Sequence, residues 1–293
     1  MKVGLIGLGR MGQALAARML GDGNDLVVYN RTAEKTAETV KAGATAATSI
    51  AGACKDREVV ITMVTGDPAL QEVTLKAGGI RESLEPGAVH LCMGTHSVAQ
   101  IKALAAAHAE ARQLMVAAPV LGRPDAAAAG QLGIVAAGPE SAVAMCEPLF
   151  KVMGRRVFHA GLQPEHAAIT KLANNFMLGC ALGAMSEGFS LVRKFGVAPQ
   201  VFYEVMTESL FAAPAYKVYG KIMVDESFDK VGFTTLLALK DFNLIMAAAD
   251  EARVPLPSGN AFRDRLLSAI AHGGGDKDWA IVAREQARAS GIE

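Results

Sequence analysis

The sequence has no excess of charge of either sign. Its 29 Lys and Arg residues balance 29 Asp and Glu residues, for a formal net charge of +0. Nucleic acid and anionic membranes both call for a concentrated positive patch, and no block of five like charges occurs anywhere, so neither partner is expected. Cysteine is sparse: Cys54, Cys92, Cys146 and Cys180 stand far apart with no CxxC pair, which reads as four buried small hydrophobes in a reducing compartment. The histidines form no HExxH motif and no i,i+4 pair, so a zinc site has no support and no metal is expected. Long apolar runs are missing as well. The longest uncharged one, Leu172 to Ser186, contains Asn174 and Asn175 and falls short of the ~18 residues a membrane-spanning helix needs. No stretch resembles a secretory signal, because the first strand begins at Lys2 and runs directly into a glycine-rich turn. The expectation is a soluble cytoplasmic protein.

What is there is a chain of 293 residues, 51% hydrophobic and 20% charged, long enough for two domains with large cores. The first half alternates strand-like runs with helical segments. Strands are expected at Val3–Ile6, Leu26–Tyr29, Val59–Met63, Ala88–Cys92, Leu114–Ala117, Gly133–Ala136 and Val157–Phe158. Helices are expected at Met11–Leu20, Ala33–Ala42, Val98–Ala111 and Glu140–Val152. This alternation predicts a mostly parallel, doubly wound α/β sheet of the Rossmann type with helices on both faces. After about Gly161 the strand signals stop. His166–Arg193 is nearly all apolar, with only Lys171 and Glu187 charged before its end, and predicts a long buried helix. Further helices are expected at Pro199–Glu208, Tyr216–Met223, Phe233–Arg253 and Asn260–His272, then a last one after Gly273-Gly274-Gly275, capped by Asp276 or Asp278. The reading is a Rossmann domain over 1–162 and an all-α domain over 163–293.

Gly7-Leu8-Gly9-Arg10-Met11-Gly12 fits GxGxxG between an expected strand and an expected helix. The first glycine allows the tight turn, the second lets the backbone approach a pyrophosphate, and the third lets helix and strand pack closely. The helix N-terminus adds free N–H groups and a positive dipole. Alone the motif is weak, but here a second strand ends about 20 residues later, as a dinucleotide site requires. That strand ends in Asn30-Arg31-Thr32 rather than in the Asp or Glu that accepts from an NAD ribose. Arg31 can pair with a 2′-phosphate while Asn30 and Thr32 donate hydrogen bonds, so the expected cofactor is NADPH rather than NADH.

Lys171 is the sole charge in the first turns of the apolar helix, and Asn175 lies four residues on, hence on the same face. A lysine there suits proton transfer to a developing alkoxide, with the asparagine positioning a substrate hydroxyl or carbonyl. The spacing fits equally a lysine that snorkels from a helix end to water.

Taken together, GLIGLGRMG at 4–12, NRT at 30–32, Thr95, APV at 118–120, KLANN at 171–175, LKD at 239–241 and GDKDWA at 275–280 resemble the β-hydroxyacid dehydrogenases. That family includes 3-hydroxyisobutyrate dehydrogenase and the glyoxylate/succinic semialdehyde reductases, and the resemblance covers essentially the whole chain. It implies that Lys171 is the catalytic acid/base and Asn175 its substrate-orienting partner. It further implies that Met63, Val64 and Thr95 line the cofactor, that Lys240 lies near its nicotinamide end with Asp241 beside it, and that Phe233 borders the substrate. A second lysine near Lys171 would disfavour its protonated form. Two departures bear on the substrate. Leu121-Gly122-Arg123 stands where the family carries Ser-Gly-Gly after the APV-like strand, losing a serine hydroxyl and gaining a bidentate carboxylate partner in Arg123. Met93-Gly94-Thr95-His96 replaces an Asp-x-Ser-Thr-like run. The expected reaction is reversible hydride transfer between NADP(H) and a small aldehyde, keto acid or 3-hydroxy acid, in a homodimer or homotetramer. An imine reductase, which shares the glycine turn and NRT, and a non-catalytic dinucleotide sensor are the alternatives.

Overall fold

The structure is a computed structural model and describes residues 1–292. Contacts gather the chain into two units, residues 1–171 and the chain from Leu172 onward.

The first unit is built on one sheet. Its strands are β1 (Lys2–Ile6), β2 (Asp25–Tyr29), β3 (Thr45–Ala46), β4 (Val59–Thr62), β5 (Val89–Cys92), β6 (Leu114–Ala117), β7 (Val120–Leu121), β8 (Leu132–Ala137) and β9 (Gly154–Gly161). Their order is β3-β2-β1-β4-β5-β6-β8-β7, with β9 also paired to β8. From β3 to β6 every pairing is parallel, whereas β8 runs antiparallel to β6 and β7. The strands β4, β5 and β8 are buried at every residue, which explains why apolar residues dominate them without alternation: a strand covered on both faces has no solvent side to mark with a polar period. One face packs Val3, Leu5, Ile61 and Leu91 against helices Arg10–Gly21 and Glu140–Met153. The other packs Ile6, Val60, Ile80 and Leu84 in one cluster, and Cys92, Ile101 and Leu104 in another. The strand order reverses between β1 and β4, so a crevice opens beyond their carboxyl ends, where ligands of such sheets bind.

All seven expected strands form, with bounds shifted by at most a few residues. The two unforeseen ones, β3 and β7, are two residues each, too short to show a period. Four short helices were also unforeseen, at Ile50–Cys54, Asp67–Leu75, Ile80–Ser83 and Pro124–Ala128. The expected helix at 33–42 begins instead as a 3-10 turn, Ala33–Thr36, before Ala37–Lys41.

The helix Pro164–Lys194 carries the chain from the first unit into the second. The second unit adds helices Pro199–Thr207, Pro214–Val224, Thr235–Ala252, Pro257–Ala271 and Val282–Ala289, with a 3-10 turn at Trp279–Ile281. Proline opens three of them, at the position where its fixed φ and missing N–H cost nothing. Asp278, not Asp276, caps the last turn, accepting from Ala280 N. Trp279 is the hub of an aromatic core, its ring edge-on to Tyr219, Phe233 and Phe262 at 5.7, 5.3 and 5.9 Å. Gly179 gives this core room, since a Cβ there would run into the rings of Phe242 and Phe262. The expectation that the long helix is buried all round is corrected: Met177 and Leu191 are 66% and 62% exposed, so the fold of one chain leaves part of its apolar surface uncovered. Among the described residues no helix is long and apolar enough to cross a membrane.

Candidate active site

The glycine turn follows β1 directly. Gly7 has φ +103, a conformation that L side chains avoid, and a Cβ on it would strike the Met63 carbonyl. A Cβ on Gly12 would strike the Gly7 carbonyl, so this glycine lets the helix sit down on the strand. Gly9 differs from both, because a Cβ there meets nothing within 4 Å. Its bareness serves no contact inside the chain and leaves a cradle at a helix N-terminus that has no side-chain cap. A pyrophosphate fits that cradle by charge and by space. Leu8, Arg10 and Met11 fill the remaining positions, with Leu8 buried beneath the turn and Arg10 exposed.

Asn30 ties the turn to the end of β2. Its Oδ1 accepts from Leu8 N at 2.9 Å and its Nδ2 donates to Thr32 O at 2.8 Å. Its amide thus builds the loop that presents Arg31 and Thr32, both exposed at the carboxyl edge of the sheet.

Met63 and Val64 leave β4 beside the glycine turn, and Met63 N donates to Ile6 O at 2.9 Å. Thr95 leaves β5, the adjacent strand. A carboxylate staples these two loops: Asp67 Oδ1 accepts from Ser97 N at 3.0 Å and meets His96 Nδ1 at 3.2 Å. Burial alone would raise the Asp67 carboxyl, but hydrogen bonds from His96 and Ser97 outweigh it and hold the group below its ordinary value. The buried His96 ring also explains Gly94, where a Cβ would collide with the imidazole and come 2.8 Å from Val64 O. The two residues go together, since the histidine fills the space in which a side chain at 94 would stand. Nothing in the local sequence signals Asp67 as the partner of His96, 29 residues away.

Gly122 lies just beyond β7 at φ +141. Arg123 follows at the start of helix Pro124–Ala128, its side chain 31% exposed and its Nε 4.0 Å from Asp125 Oδ1, too far for a hydrogen bond.

In the second unit the structure joins three of the expected residues into one chain. Asn175 Nδ2 donates to Asp241 Oδ2 at 2.6 Å, and Lys240 Nζ lies 2.8 Å from Asp241 Oδ1. Asn175 and Asp241 are buried. The Oδ2 bond fixes the asparagine amide, with Nδ2 turned to Asp241 and Oδ1 turned away from it, while the other carboxylate oxygen faces the lysine as an ion pair. Lys171, half-buried, precedes Asn175 by one turn of the same helix. Phe233 lies in the same unit, held from both sides: its ring packs on Trp279, and its N–H and that of Gly232 donate to Asp278 Oδ2 at 3.3 and 2.9 Å. The GDKDWA motif is thereby given a physical task, since its buried aspartate fixes the backbone of the Phe233 segment.

Known proteins match the chain along nearly its whole length. Residues 2–161 match the NAD binding domain of 6-phosphogluconate dehydrogenase, and residues 166–285 match the NAD-binding domain of NADP-dependent 3-hydroxyisobutyrate dehydrogenase. The chain is 41% identical over 284 residues to the uncharacterized oxidoreductase YfjR of Bacillus subtilis, covering 97% of this chain and 99% of the relative. It is 31% identical to glyoxylate/succinic semialdehyde reductase 1 of Arabidopsis thaliana, covering 96% and 97%. In fold it is similar to the 3-hydroxyisobutyrate dehydrogenase of Mycobacterium tuberculosis, with a TM-score of 0.89 at 24% identity over 97% and 98% of the two chains. An imine reductase from Pseudomonas sp. is less similar, with a TM-score of 0.63 at 22% identity over 97% and 98%.

Proposed function

The chain belongs to the β-hydroxyacid dehydrogenase family of NAD(P)-dependent oxidoreductases, and from that premise we propose that it is an NADPH-dependent reductase of a small aldehyde or keto acid, reversible toward the hydroxy acid. The observation that carries the proposal is the Lys240–Asp241–Asn175 chain, which sets the Asn175 amide one helical turn from Lys171. When bound, the reduced nicotinamide supplies the hydride. As the substrate carbonyl oxygen gains negative charge, Lys171 gives it a proton, and in the reverse direction Lys171 takes the proton from the alcohol. Asn175 positions the substrate hydroxyl or carbonyl, with its own amide oriented by Asp241.

NADPH is favoured over NADH because Arg31 is exposed at the end of β2 and no carboxylate accompanies it in Asn30-Arg31-Thr32. Gly9 and the helix start would hold the pyrophosphate, and Met63, Val64, Thr95 and Lys240 are the further residues assigned to the cofactor by the family resemblance. Arg123, in place of the family serine, suits a substrate carboxylate, and Phe233 borders the substrate. Assembly as a homodimer or homotetramer is supported by the apolar surface that the second unit exposes, including Phe195 at 81% and Leu210 at 93%.

Lys171→Ala tests the central assignment. The variant is expected to bind NADPH with wild-type affinity, read by cofactor fluorescence, while kcat falls by about 10²–10⁴. The assay sets glyoxylate and succinic semialdehyde beside a cyclic imine. Turnover at the wild-type rate would overturn the acid/base role, and preference for the imine would replace carbonyl reduction with imine reduction.

A further inference from the structure

One cluster of titratable groups lies outside the proposed chemistry, in the core of the first unit. Thr62, His90 and His108 are fully buried, and Gln113 nearly so. They form a single file. Thr62 Oγ1 is 2.9 Å from His90 Nε2, His90 Nδ1 is 2.8 Å from His108 Nε2, and His108 Nδ1 is 2.7 Å from Gln113 Oε1. Gln113 Nε2 then donates to the carbonyls of Arg81 and Leu84, at 3.0 and 2.5 Å.

With each ring neutral, the end of the file fixes every proton in it. Two carbonyl oxygens face Gln113 Nε2, so the amide cannot be turned round and its Oε1 can only accept. His108 therefore carries its hydrogen on Nδ1 and leaves Nε2 bare. His90 must then donate from Nδ1, which leaves its own Nε2 bare to accept from the Thr62 hydroxyl. Both rings are neutral Nδ1–H tautomers, the minor form of imidazole in water. A second proton on either ring would place a net positive charge in a fully buried file that holds no carboxylate to balance it. The surroundings agree. Burial first, and then the closeness of the titratable rings of His108 and His96, hold His90 well below its ordinary value. Burial and the nearby Arg81 lower His108, outweighing the hydrogen bond to Gln113. Of the flanking charged groups, Arg81 is bound to Ala107 O and Glu110, and His96 to Asp67.

The file also has a place in the fold. Thr62 is the last residue of β4, on the same face as Val60, whose register partner is His90 of β5. His108 belongs to helix Val98–Glu110, and the Arg81 and Leu84 carbonyls to the helix Ile80–Ser83 and its cap. Four elements are thus joined at the point where the chain turns off into Met63 and Val64. Apolar side chains would hold the same elements together without desolvating four polar groups. A fully satisfied polar file instead admits one register and one orientation.

We propose that the Thr62–His90–His108–Gln113 file is a positioning device for the dinucleotide, with Thr62 the positioning residue that sets the Met63–Val64 loop against it. The proposal rests on the reading of Met63 and Val64 as cofactor-lining residues.

The test compares Thr62→Val, which keeps the shape and removes the donor, with Thr62→Ser, which keeps the donor. Thr62→Val is expected to raise KM and Kd for NADPH by about 5–10-fold, the worth of one hydrogen bond, with kcat within about twofold, and Thr62→Ser to restore wild-type values. Long-range 1H–15N spectra of the intact wild-type protein at neutral pH are expected to show His90 and His108 as neutral Nδ1–H rings. Unchanged NADPH affinity in Thr62→Val, a serine variant that behaves like the valine one, or Nε2–H or charged rings would each overturn the proposal. Val64→Ala separates the device from the reading beneath it. Wild-type NADPH affinity in that variant overturns the loop assignment and the proposal with it. Weakened binding there beside an unaffected Thr62→Val overturns the device alone.

Discussion

At the residue scale, the proposed preference for NADPH rests on one side chain. Arg31 is exposed, and the neighbouring Asn30 amide is engaged with Leu8 N and Thr32 O, so a 2′-phosphate would draw its charged partner from Arg31. Arg31→Ala is expected to raise KM for NADPH by about 10–100-fold, the range for a hydrogen bond between charged groups, and to leave KM for NADH nearly unchanged. Steady-state kinetics with both cofactors reads this, and an unaltered NADPH preference would overturn the role. Such residues were legible in the sequence because each answers a local demand. Gly7 and Gly12 meet backbone a few residues away or on the next strand, and their spacing records it. The pairs His96–Asp67 and His90–His108 were not legible, since their members stand 29 and 18 residues apart and no period or motif links them. The cysteines lie between these cases. Cys54, Cys92 and Cys146 are buried as expected, while Cys180 is only half-buried, and burial pushes the Cys54 and Cys146 thiols up to about 12.

At the scale of elements, legibility followed length. Strands with four or more apolar residues, and helices with several turns, could be read from pattern. The two-residue strands and one-turn helices could not, because their existence depends on neighbours distant in sequence. Asp278 shows how a loop residue can still hold an element together. Its buried carboxylate accepts from Ala280 N at 3.1 Å at the start of the 3-10 turn and from the N–H groups of Gly232 and Phe233. Asp278→Ala would leave three backbone donors without that acceptor. A loss of about 2–4 kcal/mol is expected, as for a lost cap together with unsatisfied buried groups. The readout is a lower urea midpoint followed by Trp279 fluorescence. Asp278→Asn, which keeps an acceptor oxygen, should recover part of the loss, and an Asp278→Ala midpoint equal to wild type would remove the anchoring role.

At the scale of the whole molecule, the two units carry different responses to acid. In the first, His90 and His108 are buried as neutral rings with lowered pKa. The unfolded chain takes up their protons once the pH drops below about 6.5, whereas the folded chain does not. The stability they leave in place is therefore complete above pH ~6.5 and is lost as the pH falls toward their folded values, at up to about 1.4 kcal/mol per pH unit for each ring. In the second unit the corresponding group is Glu285, nearly buried. Burial would raise its carboxyl, but hydrogen bonds from Ser268 and His272 and the charge of Arg288 outweigh this and hold it below its ordinary value. Its contribution is complete above the ordinary glutamate value of about 4.3 and is lost only below it. Between pH 7 and 5, then, hydrogen-exchange protection of the β4 and β5 amides should fall, while the surroundings of Trp279, the sole tryptophan, keep their stability. Protection in β4 and β5 that stays constant from pH 7 to 5 would mean that the two histidines do not enter the core as neutral rings. That result would be independent of any measurement on cofactor or substrate.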